Sequence, residues 1–118
     1  MKARPALKAL LRRALAYPGA FEDHPWGHTV VKSSNKKIFC FLDGDGGGLN
    51  FTVKLPDSQD AALTLFSWAE ATGYGLGEKG WVTARFPKGA DVPCPMLLEW
   101  LDESFRAVAP KRDQKLLT

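Results

Sequence analysis

The sequence contains no long hydrophobic run and only two cysteines. No apolar stretch approaches the roughly 20 residues that a transmembrane helix needs, so we expect no contact with a membrane. Arg12 and Arg13 interrupt the first apolar stretch before it reaches the length of a signal-peptide core, and export is therefore not expected. Cys40 and Cys94 show neither a CxxC motif nor a metal-ligand spacing, so both are expected to stay reduced in the cytoplasm.

Length and composition indicate one domain. The chain has 118 residues, of which 45% are hydrophobic and 25% charged, as in a folded globular protein. We therefore expect a single domain over residues 1–118. The net charge of +3 is unevenly distributed: residues 1–21 carry five basic side chains and no acidic one, and residues 106–118 carry four basic side chains and one acidic. Such clusters attract an anionic partner more strongly than the average charge does.

Hydrophobic periodicity predicts both helices and strands. Leu7 and Leu10 recur at helical spacing, whereas residues 81–86 alternate as in a strand, with Thr83 and Arg85 on one side. The predicted elements are a helix from Pro5 to about Ala16, strands at 28–33, 37–42 and 49–55, a helix from Ser58 to Gly73, strands at 74–76 and 81–86, a helix from Pro95 to Pro110, and a flexible basic tail over 111–118. This order, α-β-β-β-α-β-β-α, indicates a two-layer α+β fold in which helices cover mainly one face of an antiparallel sheet.

Three segments together resemble one protein family. They run from Pro18 to His28, from Gly73 to Val82 and from Trp100 to Arg106. With the predicted order of elements, they resemble the MmcQ/YjbR family of small bacterial proteins, whose molecular role is largely undefined. The resemblance spans nearly the whole chain and implies a two-layer fold similar to those of secretion chaperones and frataxin. Some relatives are described as similar to a double-wing DNA-binding motif.

The chain departs from the family pattern at two positions. Many relatives have a histidine directly before the tryptophan that corresponds to Trp81, and Gly80 stands there in this chain. Many also have a tyrosine where this chain has Phe105. The resemblance implies no set of catalytic residues and no cofactor.

The loop that begins at Pro18 concentrates side chains that can carry chemistry. Carboxylate and imidazole groups are common metal ligands and proton carriers. However, Pro25 and Gly27 prevent a regular helix from placing the two histidines on one face, and the chain has no third histidine, so we predict no metal site. We favour a structural loop anchored by its tryptophan, with a small-molecule site as the alternative. The candidate residues are Glu22, Asp23, His24, Trp26, His28 and Trp81.

No catalytic constellation is complete in the sequence. Cys40 lies between Phe39 and Phe41 and is expected to be a buried small hydrophobe rather than a nucleophile. The glycine-rich segment 75–82 matches the pattern of a nucleotide-binding loop, but it follows a helix and enters a strand, whereas such a loop follows a strand and opens a helix. We therefore expect a binding protein rather than an enzyme.

Clustered basic residues indicate the function that we favour, which is DNA binding. Cations at i, i+4 and i+8 form a ridge along the first helix, and further lysines lie in the first predicted hairpin. They suit phosphate groups, and because no helix is rich in Arg, Asn or Gln, we predict low sequence specificity. The alternative is a protein-interaction module that resembles a secretion chaperone and holds a partner on a sheet face or strand edge. Besides the tail, the predicted DNA contacts are Arg4, Lys8, Arg12, Arg13, Lys32, Lys36 and Lys37.

Overall fold

Four helices and six strands lie within residues 1–117, the part of the chain that the computed structural model describes. Two short 3₁₀ turns lie at Pro25–Gly27 and Gly77–Lys79. Within the described residues, no helix combines the length and apolar character needed to cross a membrane. The elements are α1 Ala3–Ala16, β1 Phe21–Asp23, β2 Val30–Lys32, β3 Ile38–Asp45, β4 Gly48–Lys54, α2 Gln59–Leu65, β5 Ala69–Ala71, β6 Trp81–Phe86, α3 Cys94–Val108 and α4 Lys111–Lys115.

The described strands form one antiparallel sheet in the order β1-β2-β3-β4-β6-β5. Leu49, Phe51 and Val53 of β4 belong to the buried core, which includes the apolar faces of α1 and α3. Asn50 and Thr52 alternate with them and therefore lie on the opposite face of the sheet, which we call the open face. The predicted fold class, α+β with an antiparallel sheet, is confirmed.

The first helix forms where its apolar spacing predicts it. It begins two residues before Pro5, which therefore lies in the first turn, where its missing N–H group leaves no hydrogen bond unmade. The helix ends at Ala16, and Gly19 then takes a φ of 73° in the turn toward β1, a conformation that glycine adopts without strain. The buried residues of α1, all on one face, are Ala3, Ala6, Leu10 and Ala14.

A buried serine joins α3 to the sheet. Cys40 pairs with Val53 across β3 and β4, so Phe39 and Lys54 would form the next pair. Instead, the Ser104 hydroxyl lies between them, where it donates to the Phe39 carbonyl and accepts from the Lys54 amide at 2.9 Å. Because Ser104 is completely buried, these two backbone groups depend on it for their hydrogen bonds.

The second helix is shorter than predicted. It ends at Leu65 rather than at Gly73, and Ala69–Ala71 pairs with β6 as the strand β5. The rings of Phe66 and Trp68 stack with centroids 4.6 Å apart and pack against the core. Burial of these rings and pairing of residues 69–71 with the edge of β6 outweigh the helical spacing of the apolar residues here. The prediction that the helix continues from residue 66 to Gly73 was therefore wrong.

Two other strand assignments also change. β1, at Phe21–Asp23, occupies part of the segment expected to be a loop, and it is held by antiparallel pairing with β2. Residues 74–76, predicted as a strand, form a turn in which Tyr74 and Gly75 have φ values of 59° and 78°. Backbone with positive φ cannot continue a strand, because strand residues have strongly negative φ.

The C-terminal segment, expected to be a flexible tail over 111–118, contains the helix α4. Asp113 is buried and accepts a hydrogen bond from Ser34 Oγ at 2.5 Å. Gln114 Nε2 donates to the carbonyl of Ala109 at 2.8 Å. These contacts attach α4 to the turn between β2 and β3 and to the end of α3. The last residue of the predicted tail, Thr118, lies outside the described residues.

Candidate functional site

The basic ridge predicted on α1 faces away from the core. Arg4, Lys8 and Arg12 are exposed on the side of the helix opposite its buried residues, at steps of about 6 Å along the axis. Among residues 1–117, none of the three has a carboxylate within ion-pair distance. The ridge therefore presents to solvent three cations that no ion pair among the described residues neutralises.

Arg13, the fourth basic residue predicted on this helix, points in a different direction. It lines a shallow depression together with Glu99 and Asp102 of α3, close to Tyr17. The Tyr17 hydroxyl donates to Asp102 at 3.1 Å, and burial, followed by the effect of this carboxylate, raises the pKa of Tyr17 to about 12. Since Arg13 lies beside two carboxylates, its charge adds less to an anion-binding surface than the ridge does.

The lysines of the first hairpin separate into two environments. Lys36 and Lys37 are exposed in a turn closed by a 2.8 Å hydrogen bond from the Lys36 amide to the Ser33 carbonyl. Lys32, by contrast, is partly buried in β2, and its ammonium group lies 2.7 Å from Asp23. The turn can therefore reach an anionic partner, whereas Lys32 already has a partner within the protein.

Hydrogen bonds bring the β2–β3 turn and α4 together at the end of the molecule where α1 terminates, and the ridge runs from there along α1 to Arg4, beside the turn between β3 and β4. Ser34, in the β2–β3 turn, donates to Asp113 of α4, and Asn35 Nδ2 donates to the Val108 carbonyl at 3.0 Å. Gly19, just past the end of α1, packs so closely here that a Cβ atom on it would lie 2.9 Å from Ser34 Cβ. We call the surface formed by the ridge, this turn and the start of α4 the basic surface. Its members are Arg4, Lys8, Arg12, Lys36, Lys37, Lys111 and Arg112.

Short polar contacts hold the predicted loop site together. Glu22 lies 2.7 Å from His24, and Asp23 is paired with Lys32. The hydrogen bond from Lys32 is the main reason that the pKa of Asp23 is lowered. We expected Trp26 to anchor the loop. This expectation was wrong, because Trp26 is 94% exposed and has a φ of 52°.

The remaining two loop-site residues lie apart from these pairs. Trp81 is buried against the ring of Phe41, with centroids 5.8 Å apart. His28 Nδ1 lies 3.3 Å from the carboxylate of Asp43 on the open face. The six predicted residues therefore do not share one pocket. Within residues 1–117, no three His, Cys, Asp or Glu side chains are grouped so that they could hold a metal ion.

The open face contains a depression of about 280 Å³ that no single segment of the sequence indicates. Thr83 lies at its centre, where its hydroxyl is hydrogen-bonded to those of Thr52 and Thr72 at 3.0 and 2.9 Å. The alternation along β6 predicts that Thr83 and Arg85 share one side of the strand. This alternation is the one sequence feature that could have indicated the depression. The side chains around the threonines include His28, Asp43, Asn50, Tyr74 and Arg85.

Residues 15–107 match the family model described as YjbR. The chain belongs to the YjbR family. Two solved structures resemble the fold of this YjbR chain. Deinococcus radiodurans protein DR2400, with the domain named DUF419, is 22% identical with a TM-score of 0.70, over 99% of this chain and 88% of that one. A Pseudomonas syringae protein is 19% identical with a TM-score of 0.62, over 86% of this chain and 97% of that one.

At these identities the two likenesses concern the fold alone, and no curated protein matches the chain. The fold nevertheless brings together two of the three segments whose sequences resemble the YjbR family. His28 comes from the first segment and Tyr74 from the second, and both line the depression on the open face. The YjbR chain thus has two distinct candidate regions: the basic surface on the helical side and its adjoining end, and the open face of the sheet.

Proposed function

We propose that this YjbR protein is a binding module that contacts DNA with low sequence specificity through its basic surface. The observation that supports this most strongly is the hydrogen bond between Ser34 and Asp113. It joins two basic segments that lie far apart in sequence, and the end of α1 packs against the same turn at Gly19. Cations that are gathered in this way can contact neighbouring phosphates of one duplex.

Low specificity follows from the side chains that the surface offers. Phosphate contacts position a protein on DNA, whereas base edges are distinguished mainly by Arg, Asn and Gln side chains that enter a groove. The outward side of α1 carries Arg4, Lys8 and Arg12, with no Asn or Gln in the helix. We therefore propose that the surface acts mainly through charge, with affinity that falls steeply as salt is added.

We propose further that the protein acts in the cytoplasm by binding rather than by catalysis. Cys40 and Cys94 are free and buried, which suits a compartment that keeps thiols reduced. Burial raises the pKa of the Cys40 thiol, so this group remains protonated and is not a ready nucleophile.

The test is fluorescence anisotropy of a labelled DNA duplex titrated with the protein at two salt concentrations. We expect binding at low salt that weakens by about 2,000- to 6,000-fold between about 50 and 200 mM salt if six or seven phosphates are contacted. Two duplexes of unrelated sequence should bind within a few-fold of each other. No binding at low salt, or binding that does not change with salt, would contradict the proposal.

A further inference from the structure

We propose that the open face of the sheet holds a second binding site, for an uncharged sugar ring. This proposal is independent of DNA binding, since the depression on the open face shares no side chain with the basic surface. Its volume of about 280 Å³ is at the lower limit for ligand pockets, so it suits a small molecule rather than a long polymer segment.

The floor of the depression offers hydroxyl groups. Thr52, Thr83 and Thr72 lie side by side, with Oγ1 atoms 3.0 and 2.9 Å apart. Three hydroxyls have three hydrogens, and the two hydrogen bonds between them use only two. One hydroxyl can therefore donate to a molecule in the depression, while the free lone pairs of the others can accept from it.

A row of polar side chains crosses the sheet beside these threonines. Asp43 pairs with Asn50, and Asn50 pairs with Arg85, so an acceptor, an amide and a donor lie on three adjacent strands. Both ends of the row are fixed. Asp43 accepts from the Thr29 amide at 3.0 Å, and Arg85 Nε lies 2.6 Å from Glu70, which leaves the terminal nitrogens of the guanidinium able to donate. Sugar hydroxyls both donate and accept, and this row supplies both kinds of partner.

An aromatic side chain stands at the rim. Tyr74 is fully exposed and has a φ of 59°, a left-handed conformation that is strained for a bulky residue. Strained backbone of this kind is concentrated at binding sites, and Tyr74 is one of the residues that line the depression. The face of an aromatic ring packs well against the C–H groups of a sugar ring, while the hydroxyls at the edge of the sugar reach the polar side chains.

The charges around the depression favour an uncharged ligand over a phosphate. Asp43 lies in the row, Asp45 accepts a hydrogen bond from Asn50 Nδ2 at 3.4 Å, and Glu70 neutralises Arg85. The carboxylates outnumber the cation, so an anionic ligand would be repelled. We therefore assign neutral sugars to this face and DNA phosphates to the basic surface.

Saturation-transfer NMR tests the assignment, with D-glucose, N-acetyl-D-glucosamine, D-ribose and adenosine as probes. We expect transfer to the ring protons of at least one of the sugars, and binding about 2- to 12-fold weaker in Tyr74→Gly, which removes the aromatic contact. Trp26→Gly is the matched control, because it also removes an exposed aromatic ring at a positive φ but lies outside the depression. Asn50→Ala should weaken the same binding through the polar row.

Three outcomes would overturn the sugar site. The first is no transfer to any of the sugars, and the second is an equal loss in Trp26→Gly and Tyr74→Gly. The third is transfer to the base protons of adenosine alone, which would instead indicate a stacking surface for nucleobases. Because anisotropy with DNA is measured separately, failure of the sugar site would leave the proposal for the basic surface unaffected.

Discussion

Removing both charges of the β2–β3 turn is the sharpest test of the basic surface. In the double variant Lys36→Gln and Lys37→Gln, two exposed cations are lost from the turn that Ser34 attaches to α4. Each phosphate contact changes the slope of log K against log salt by about 0.9, so the loss of two contacts should make the slope shallower by about 1.8.

The size of the defect should itself depend on salt. If the two contacts are purely electrostatic and vanish at about 1 M salt, the double variant should bind DNA about 200-fold more weakly at about 50 mM salt and about 20-fold more weakly at about 200 mM. Anisotropy titrations of both proteins on one duplex measure the two ratios. A defect that is constant with salt would point to a lost shape contact rather than to lost phosphate contacts.

Two control variants separate charge from structure. Lys36→Arg with Lys37→Arg keeps both charges and should bind as the unaltered protein does, because a guanidinium also pairs with phosphate. Lys79→Gln removes one exposed charge from the connection between β5 and β6, outside the basic surface, and should leave the slope unchanged. If Lys79→Gln changed the slope as much as one turn lysine does, the assignment of the surface would be wrong.

Other variants test the contacts that build the fold. Ser104→Ala leaves two buried backbone groups without partners and should lower the free energy of unfolding by about 2–4 kcal/mol in urea titrations, whereas Ser67→Ala, at an exposed position, should change it little. Ser34→Ala removes the hydroxyl that donates to the buried carboxylate of α4 and should cost about 1.5–3 kcal/mol by the same assay while weakening DNA binding; unchanged stability would contradict the role of this contact. Because the pKa of Tyr17 is raised from 10.0 to about 12, the folded state holds this proton more tightly than the unfolded state, so stability should decline as pH rises from about 10 to 12. Tyr17→Phe should lose that part of the decline, and an identical pH profile in both proteins would show that ionisation of Tyr17 is not responsible.

Local patterns predicted the elements whose identity depends on their own residues. The helix that begins near Pro5, the strand at Trp81–Phe86 and the fold class were all accessible from periodicity, because one buried face repeats within each element. The edge strands β1 and β5 were missed. Each has three residues, which is too short for a period to appear, and each forms only because a neighbouring strand offers hydrogen bonds.

The candidate sites also divide into features that local sequence patterns predict and features that depend on tertiary contacts. The basic segments were visible in the sequence, but their meeting depends on a hydrogen bond between residues separated by 79 positions. The depression on the open face was not foreseen, since its side chains come from several strands and from the turn at Tyr74. No local pattern contains either arrangement, because both are consequences of strand order and register.

The three lysines of the first hairpin show why a charge count does not define a binding surface. All three were predicted to contact DNA, and by composition they are equivalent. Lys32 lies on a strand, where pairing of β1 with β2 places Asp23 2.7 Å from its ammonium group, and the pair satisfies both charges. Lys36 and Lys37 lie in the turn, where no strand supplies a carboxylate among the described residues. An anion must displace Asp23 to reach Lys32 but meets the turn lysines unopposed, so the register of a three-residue edge strand decides which of these cations is open to an anionic partner.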